Sequence, residues 1–238
     1  SIATACGKFG IEATIVVPEG NSTEKNKAMK AQGGNLIIHG KDFQESVEFA
    51  KEKSEAEGLF MLPSFDQLLL QGVSTYAYEF FTKAPDLDTV YVPIGMGSGV
   101  CSVIAARDAL GLKTKVVGVV AEEAPAYALS MEAGHPVSTN SADTLADGMA
   151  CRTPSPEAFE IMQSGAERII RVSEEGIKQA IRWYYHDTHN IAEGAGAAPL
   201  AGLWQERDLH QGKKVGVILT GGNIDRDQFI SILSETDQ

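Results

Sequence analysis

Val-Pro-Ile-Gly-Met-Gly-Ser-Gly, residues 92–99, carries an apolar, β-branched stretch straight into glycines and then into a helical pattern through Ile104, Ala105 and Leu110. Its reading as strand, loop and helix decides the fold, because the same succession recurs on both sides of it. Short β-branched runs at Ala13–Val17, Leu36–His39, Thr89–Pro93, Lys115–Val120, Arg168–Val172 and Lys214–Leu219 alternate with helical patterns along the chain. That alternation predicts an α/β fold of three αβα layers, a mostly parallel sheet with helices on both faces. Ser173, followed by Glu174 and Glu175, marks one helix start, after which Ile177, Ala180, Ile181, Tyr184 and Tyr185 share a face. Ser22 or Thr23 caps another helix, with an apolar stripe through Ala28 and Met29 and a left-handed end at Gly33.

Strand alternation is lost around Leu62–Gln71, where Pro63 lies. This predicts the join between the remainder of a small lobe, residues 1–64, and a larger lobe, residues 65–238. At the start, Ile2, Ala3, Ala5, Cys6 and Phe9 have helical spacing and Gly10 can close the helix, yet only Ser1 can cap it and no strand precedes it. A helix of this kind is normally fed from a strand, so we expect an N-terminally incomplete unit. A native short N-terminal helix is the alternative.

Composition narrows the function. Of 238 residues, 43% are hydrophobic and 22% charged, enough to bury a sizeable core, and the formal charge of −12 would repel phosphate backbones and anionic lipid surfaces. With no basic stripe to offset that charge, nucleic acid is not an expected partner. No apolar run approaches the ~18 residues of a membrane helix, and no charged leader precedes one. Cys6, Cys101 and Cys151 are odd in number and widely spaced, so they are expected to be reduced, buried thiols in a cytoplasmic protein.

Three stretches carry candidate chemistry. In the loop at 92–99, backbone N–H groups and the positive end of the following helix suit a phosphate, and Ser98 adds a hydroxyl. The same loop type also serves mononucleotides, dinucleotides and plain tight turns; no Gly-Lys-Ser/Thr follows, and the third glycine of GxGxxG is missing. Leu-Thr-Gly-Gly-Asn-Ile-Asp, residues 219–225, would place Thr220 at the carboxyl end of a strand, in the same crevice, or else form a turn capped by Asn223 or Asp225. Ala-Glu-Gly-Ala-Gly-Ala-Ala, residues 192–198, sets an acidic residue before tiny side chains that suit a flat ligand or close helix–sheet packing. His186 and His189, with Asp187 between them, lack an identifiable third metal ligand and read as a solvated helix end. His39, His135 and His210 have no partner that sequence can name.

The loop at 92–99, Thr-Leu-Ala-Asp-Gly at 144–148, Glu-Gly-Ala-Gly-Ala at 193–197 and Thr-Gly-Gly-Asn-Ile-Asp at 220–225 occur in the order found in fold-type-II pyridoxal-phosphate enzymes. The chain resembles that tryptophan synthase β-like superfamily over essentially all its residues, and within it the serine/threonine dehydratases. The resemblance implies that Gly95, Met96, Gly97, Ser98 and Gly99 form the loop holding the phosphate of pyridoxal 5'-phosphate and that Thr220 faces the pyridine nitrogen. It also implies that Gly148 lies beside the ring and Glu193 near the cofactor edge. The family's usual loop has four consecutive glycines; Met96 and Ser98 depart from it towards the Gly-Gly-Gly-Ser form of tryptophan synthase β chains.

The glutamate that follows the next strand in metal-binding relatives is matched here by Val120, with Ala121 next, so no divalent metal is expected there, although Glu122 and Glu123 follow. The implied activity is ammonia release from a β-hydroxy amino acid such as serine or threonine, giving a 2-oxo acid, with a homodimer or an association with the absent N-terminal segment. The family's catalytic lysine has a Ser-x-Lys-x-Arg-Gly-like context that no lysine here shares, including Lys8, Lys25, Lys27 and Lys30. It is expected upstream of Ser1, leaving this chain inactive alone. The alternative is a lysine-free, non-catalytic module that binds a phosphate ligand or a partner.

Overall fold

The computed structural model describes residues 2–235, and the chain divides into two compact units. One takes in the chain up to Pro63 together with Asp225–Phe229. In it β1 (Thr14–Val17) and β2 (Asn35–Ile38) pair in parallel, Thr14 opposite Asn35, among helices α1 (Ile2–Phe9), α2 (Thr23–Ala31) and α3 (Phe43–Glu57). The Ser22 side chain caps α2 by accepting from Lys25 N at 3.1 Å, and Gly33 follows that helix at φ +85°. Asp42 caps α3 in the same way, and Gly58 ends it in the left-handed region. Two expectations need correcting in this unit. Ala28 is exposed and Met29 half-buried, so the apolar stripe of α2 is not buried, in a helix that is otherwise almost wholly polar. Cys6 is only half-buried, since α1 buries little beyond Ala3.

The other unit, Ser64–Ile224 with the chain from Ile230, holds a four-stranded parallel sheet. Its strands are β3 (Thr89–Pro93), β4 (Lys115–Ala121), β5 (Arg168–Val172) and β6 (Val215–Val217), in the order β5-β4-β3-β6. Every residue of β3 is buried, as is all of β4 after Lys115, which is why these strands are apolar after their first residues, with no polar alternation. Val90, Val92, Val116 and Val120 project into a core with Ala77 and Phe81 of α4 (Gln67–Lys83), Val100 and Ile104 of α5 (Ser98–Ala109) and Met162 of α7 (Pro156–Gly165). Intervening strand residues face the other way. There α9 (Gly194–Gln205) crosses so closely that a methyl group at Gly202 would lie 3.0–3.3 Å from Ile170, Val119 and Tyr91. Helix α8 (Glu174–Thr188) packs beside α9, giving three layers. Strand β6 is shorter than its β-branched run: Ile218 N still bonds Tyr91 O at 3.1 Å, after which the chain leaves the ladder. Among the described residues no helix is long and apolar enough to cross a membrane.

At the end of α9 a polar cluster ties helix to sheet. The Glu206 carboxylate receives Arg168 Nε at 3.0 Å and Nη2 at 2.5 Å, and the Tyr91 hydroxyl donates to it at 2.5 Å. With that proton committed, His210 Nε2, 2.7 Å from the Tyr91 oxygen, is the donor in their contact, and its buried Nδ1 is the ring atom left without a partner. Burial by itself would raise the Glu206 carboxyl, but the bonds from Arg168 and Tyr91 and the Arg168 charge hold it below its ordinary range. A depressed carboxyl contributes stability that is present at neutral pH and lost as the pH falls below the unfolded value of about 4.3. Glu206→Gln is expected to cost about 1.5–3 kcal/mol at pH 7. Urea unfolding followed across pH should show this gap closing below about pH 4.

Candidate functional site

Strand β3 delivers the chain from Pro93 into the loop Gly95–Gly99, and α5 begins at once behind it. The start of α5 differs from those of α2, α3, α4, α7 and α8, which Ser22, Asp42, Asp66, Ser155 and Ser173 cap with side-chain oxygens. Gly97 stands at its N-cap with φ +102° and no side-chain bond, and among the described residues nothing accepts from the amides of Met96, Gly97, Ser98 or Gly99. Four amides facing no acceptor at the positive end of a helix form a cradle for an anion.

The parallel pairing of β3 and β6 puts the Thr220 stretch at the same edge of the sheet. Tyr91 pairs with Val217, and three residues further on in each strand come Ile94 and Thr220. Thr220 is exposed there. Glycines then let several backbones converge. A methyl group at Gly95 would lie 2.0 Å from the Gly148 carbonyl oxygen, and one at Gly148 would meet Ala195 at 3.0 Å. One at Gly196 would be 2.5 Å from Gly221 O, and one at Gly221 would be 2.8 Å from the Glu193 carboxylate. Glu193 N also donates to Gly221 O at 3.0 Å. Gly95, Gly148, Glu193 and the residues following Thr220 are therefore neighbours at the carboxyl ends of β3 and β6, where ligands bind in open α/β sheets.

Glu174, read in the sequence only as part of a helix start, has a second task. From the first turn of α8 its Oε2 accepts from Leu145 N at 2.8 Å, anchoring the stretch that ends at Gly148, while its buried Oε1 has no partner. The Ser-Glu-Glu start signalled the helix, but only the fold reveals what the second residue reaches.

Other candidates do not join this site. Val120 and Ala121 end β4 buried, and Glu122 and Glu123 are exposed beyond them. His186 pairs with Asp187 at 2.6 Å on the surface, and His189 ends α8 at φ +54°. Among the described residues no three His, Cys, Asp or Glu side chains gather as a metal site. Cys151 lies 3.6 Å from the Met96 sulfur, yet burial pushes its thiol up to about 11 and that of Cys101 up to about 12, so neither is a nucleophile at neutral pH. Thiol titration of the native protein at pH 8 should leave both unmodified, and guanidinium should release them.

The family model described as "Pyridoxal-phosphate dependent enzyme" matches residues 1–221. The chain belongs to this family. It is 32% identical over 235 residues to an L-threonine ammonia-lyase of Thermotoga maritima, covering 98% of this chain and 58% of that protein. It is 31% identical to the biosynthetic L-threonine dehydratase IlvA of Escherichia coli, covering 94% and 44%. The chain thus spans about half the length of these curated relatives. The structure of the processed form of threonine deaminase isoform 2 from Solanum lycopersicum superposes with a TM-score of 0.90 at 29% identity, covering 99% of this chain and 70% of that one. The fold is the mostly parallel, tryptophan synthase β-like α/β architecture.

The uncapped amides and the glycine cradle fit the family's cofactor, an anionic phosphate joined to a flat ring. Because no methyl group fits between Gly95 and Gly148, Gly95→Ala is expected to abolish cofactor uptake by the whole protein, read as loss of the bound cofactor's absorbance.

Proposed function

We propose that the whole protein is a pyridoxal-phosphate-dependent ammonia-lyase that converts a β-hydroxy amino acid, serine or threonine in class, to a 2-oxo acid and ammonia. The observation that carries this reading is the pairing of an uncapped glycine loop with a hydroxyl residue at the same edge of one parallel sheet, in a chain whose relatives are threonine ammonia-lyases. When bound, the cofactor supplies an electron sink for the charge left when the substrate's Cα proton departs.

The residues of this chain then divide the remaining work. The amides of Gly95, Met96, Gly97, Ser98 and Gly99 hold the phosphate, with the Ser98 hydroxyl as a further donor. Thr220 offers its hydroxyl to the pyridine nitrogen; a neutral partner does not force that nitrogen to stay protonated, so the sink is weaker than a carboxylate partner would make it. This favours departure of the Cβ hydroxyl over transamination. Gly148 borders the ring, leaving room for it by lacking a side chain, and Glu193 stands at the cofactor's edge. Water lost at Cβ is returned when the product is hydrolysed to 2-oxo acid and ammonia, so the atoms balance without a further reactant.

The lysine that anchors the cofactor and moves the Cα proton is, on this reading, supplied from outside residues 1–238. Of the lysines in the sheet-bearing unit, Lys115 and Lys214 lie at the amino ends of strands, Lys83, Lys113 and Lys213 precede them, and Lys178 pairs with Glu175 and Glu235. Partners beyond the small amino acid are a second copy of the chain or the segment bearing that lysine, in the cytoplasm. The test is ammonia release from serine, threonine and a 3-hydroxy analogue by the whole protein, followed by borohydride trapping and peptide mapping. Ammonia release with the trapped lysine outside residues 1–238 is expected; turnover of none of these substrates, or a trapped lysine within the chain, overturns the respective part. Thr220→Ala should lower kcat about 10²-fold or less while leaving cofactor bound, as expected for loss of one positioned polar contact.

A further inference from the structure

Tyr127, in the first turn of α6 (Ala126–Ala133), belongs to none of the motifs above and is 1% exposed. Its hydroxyl donates to the Met96 carbonyl oxygen at 2.8 Å and accepts from the Ser155 amide at 3.0 Å. An amide only donates, so the phenol's single proton is committed to Met96. Burial, the largest influence on it, raises this hydroxyl's ionisation far above the ordinary tyrosine range, and the proton stays in place.

The consequence lies on the other side of the peptide bond. In a planar trans peptide the carbonyl of Met96 and the N–H of Gly97 point in opposite directions. A carbonyl held against Tyr127 therefore turns the Gly97 N–H away from α6, and among the described residues that N–H has no acceptor. The reverse orientation would present a carbonyl oxygen to an anion in the loop. Gly97 does nothing to prevent the flip, since glycine at φ +102° accepts many backbone conformations. Nor could a side chain stiffen this position, because a methyl group at Gly97 would lie 2.8 Å from the Ala158 methyl carbon. The orientation has to be imposed from outside the loop, and Tyr127 is placed to impose it.

We propose that Tyr127 is a positioning residue for the cofactor phosphate: its hydroxyl locks the Met96–Gly97 peptide with the N–H facing the anion and ties the loop to the start of α7 at Ser155. The inference rests on the reading of Gly95–Gly99 as the phosphate cradle. Tyr127 acts through that peptide and does not touch the cofactor, so its effect is specific to the phosphate and indifferent to the ring.

The experiment titrates the apo form of the whole protein, wild type and Tyr127→Phe, with pyridoxal 5'-phosphate and with pyridoxal, which lacks the phosphate, and records the phosphorus resonance of the bound cofactor. Wild type is expected to bind the phosphorylated form more tightly. Tyr127→Phe is expected to weaken that binding about tenfold, the worth of about one well-placed hydrogen bond to an anion. Pyridoxal affinity should be unchanged and the phosphorus resonance shifted. Ser155→Ala removes the α7 cap but keeps the Ser155 N–H; it should lower thermal stability and leave the ratio of the two affinities as in wild type. Equal weakening of both ligands by Tyr127→Phe, no weakening of either, or the same change of ratio in Ser155→Ala overturns the positioning role. A wild-type protein with no preference for the phosphorylated form overturns the loop reading itself, and the inference with it.

Discussion

The site depends on how closely two stretches of backbone approach where Gly95 meets the carbonyl of Gly148, with no room for a β-carbon between them. Polar backbone brought this near has to be compatible with both neighbours, and it comes with a second set of glycine contacts at Gly196 and Gly221. Side chains at these positions would separate the loop, the 145–148 stretch and the start of α9. Their absence lets three segments distant in sequence form one wall, at an entropic cost of roughly 0.5–1 kcal/mol for each glycine held in a fixed conformation. The burial of β3 and β4 on both faces gives that wall a rigid support.

Much of this was legible in the sequence. The β-branched runs at 89–93, 115–120 and 168–172 became strands with little change: the first two are buried almost throughout, and in the third Ile169, Ile170 and Val172 keep the β-branched signal although Arg168 and Arg171 interrupt it and only Val172 is fully buried. That the glycine loop and Thr220 lie near one another was legible too, because each follows a β-branched run, and in a parallel sheet the carboxyl ends lie at one edge. The run at 214–219 misled at its end. Ile218 and Leu219 are as β-prone as their predecessors, but the paired strand ends at Val217 and only the Ile218 N–H still reaches Tyr91 O. Helix α2 misled for another reason, since two apolar residues in a polar stretch suggest a buried face, and among the described residues nothing buries it.

What the sequence concealed is the set of residues that act at a distance along the chain. Glu174 is 29 positions from Leu145 and Tyr127 is 31 from Met96, and neither pair forms a local pattern. A glutamate in the first turn of a helix already has a sufficient local explanation in the helix dipole, and a tyrosine among alanines reads as core. Only the packing of α6 on β5 and of α8 on α9 shows that each carries a polar atom to one backbone group near the loop.

The middle of β3 and its carboxyl end then have different tasks, and the difference follows from what each position can tolerate. Around Tyr91 the Glu206, Arg168 and His210 side chains nearly exhaust one another's hydrogen bonds, fixing the end of α9 against the sheet. Beyond Pro93 the amides of the loop are left without acceptors, and a chain that leaves four donors unsatisfied is less stable there than one that caps them. Such a loop remains ordered only if its orientation is held by groups that do not compete for those donors. Tyr127 meets that condition, because it engages a carbonyl and leaves every N–H of the loop available. Support through the carbonyls and recognition through the amides can coexist in one short loop, since the planar peptide sends the two in opposite directions.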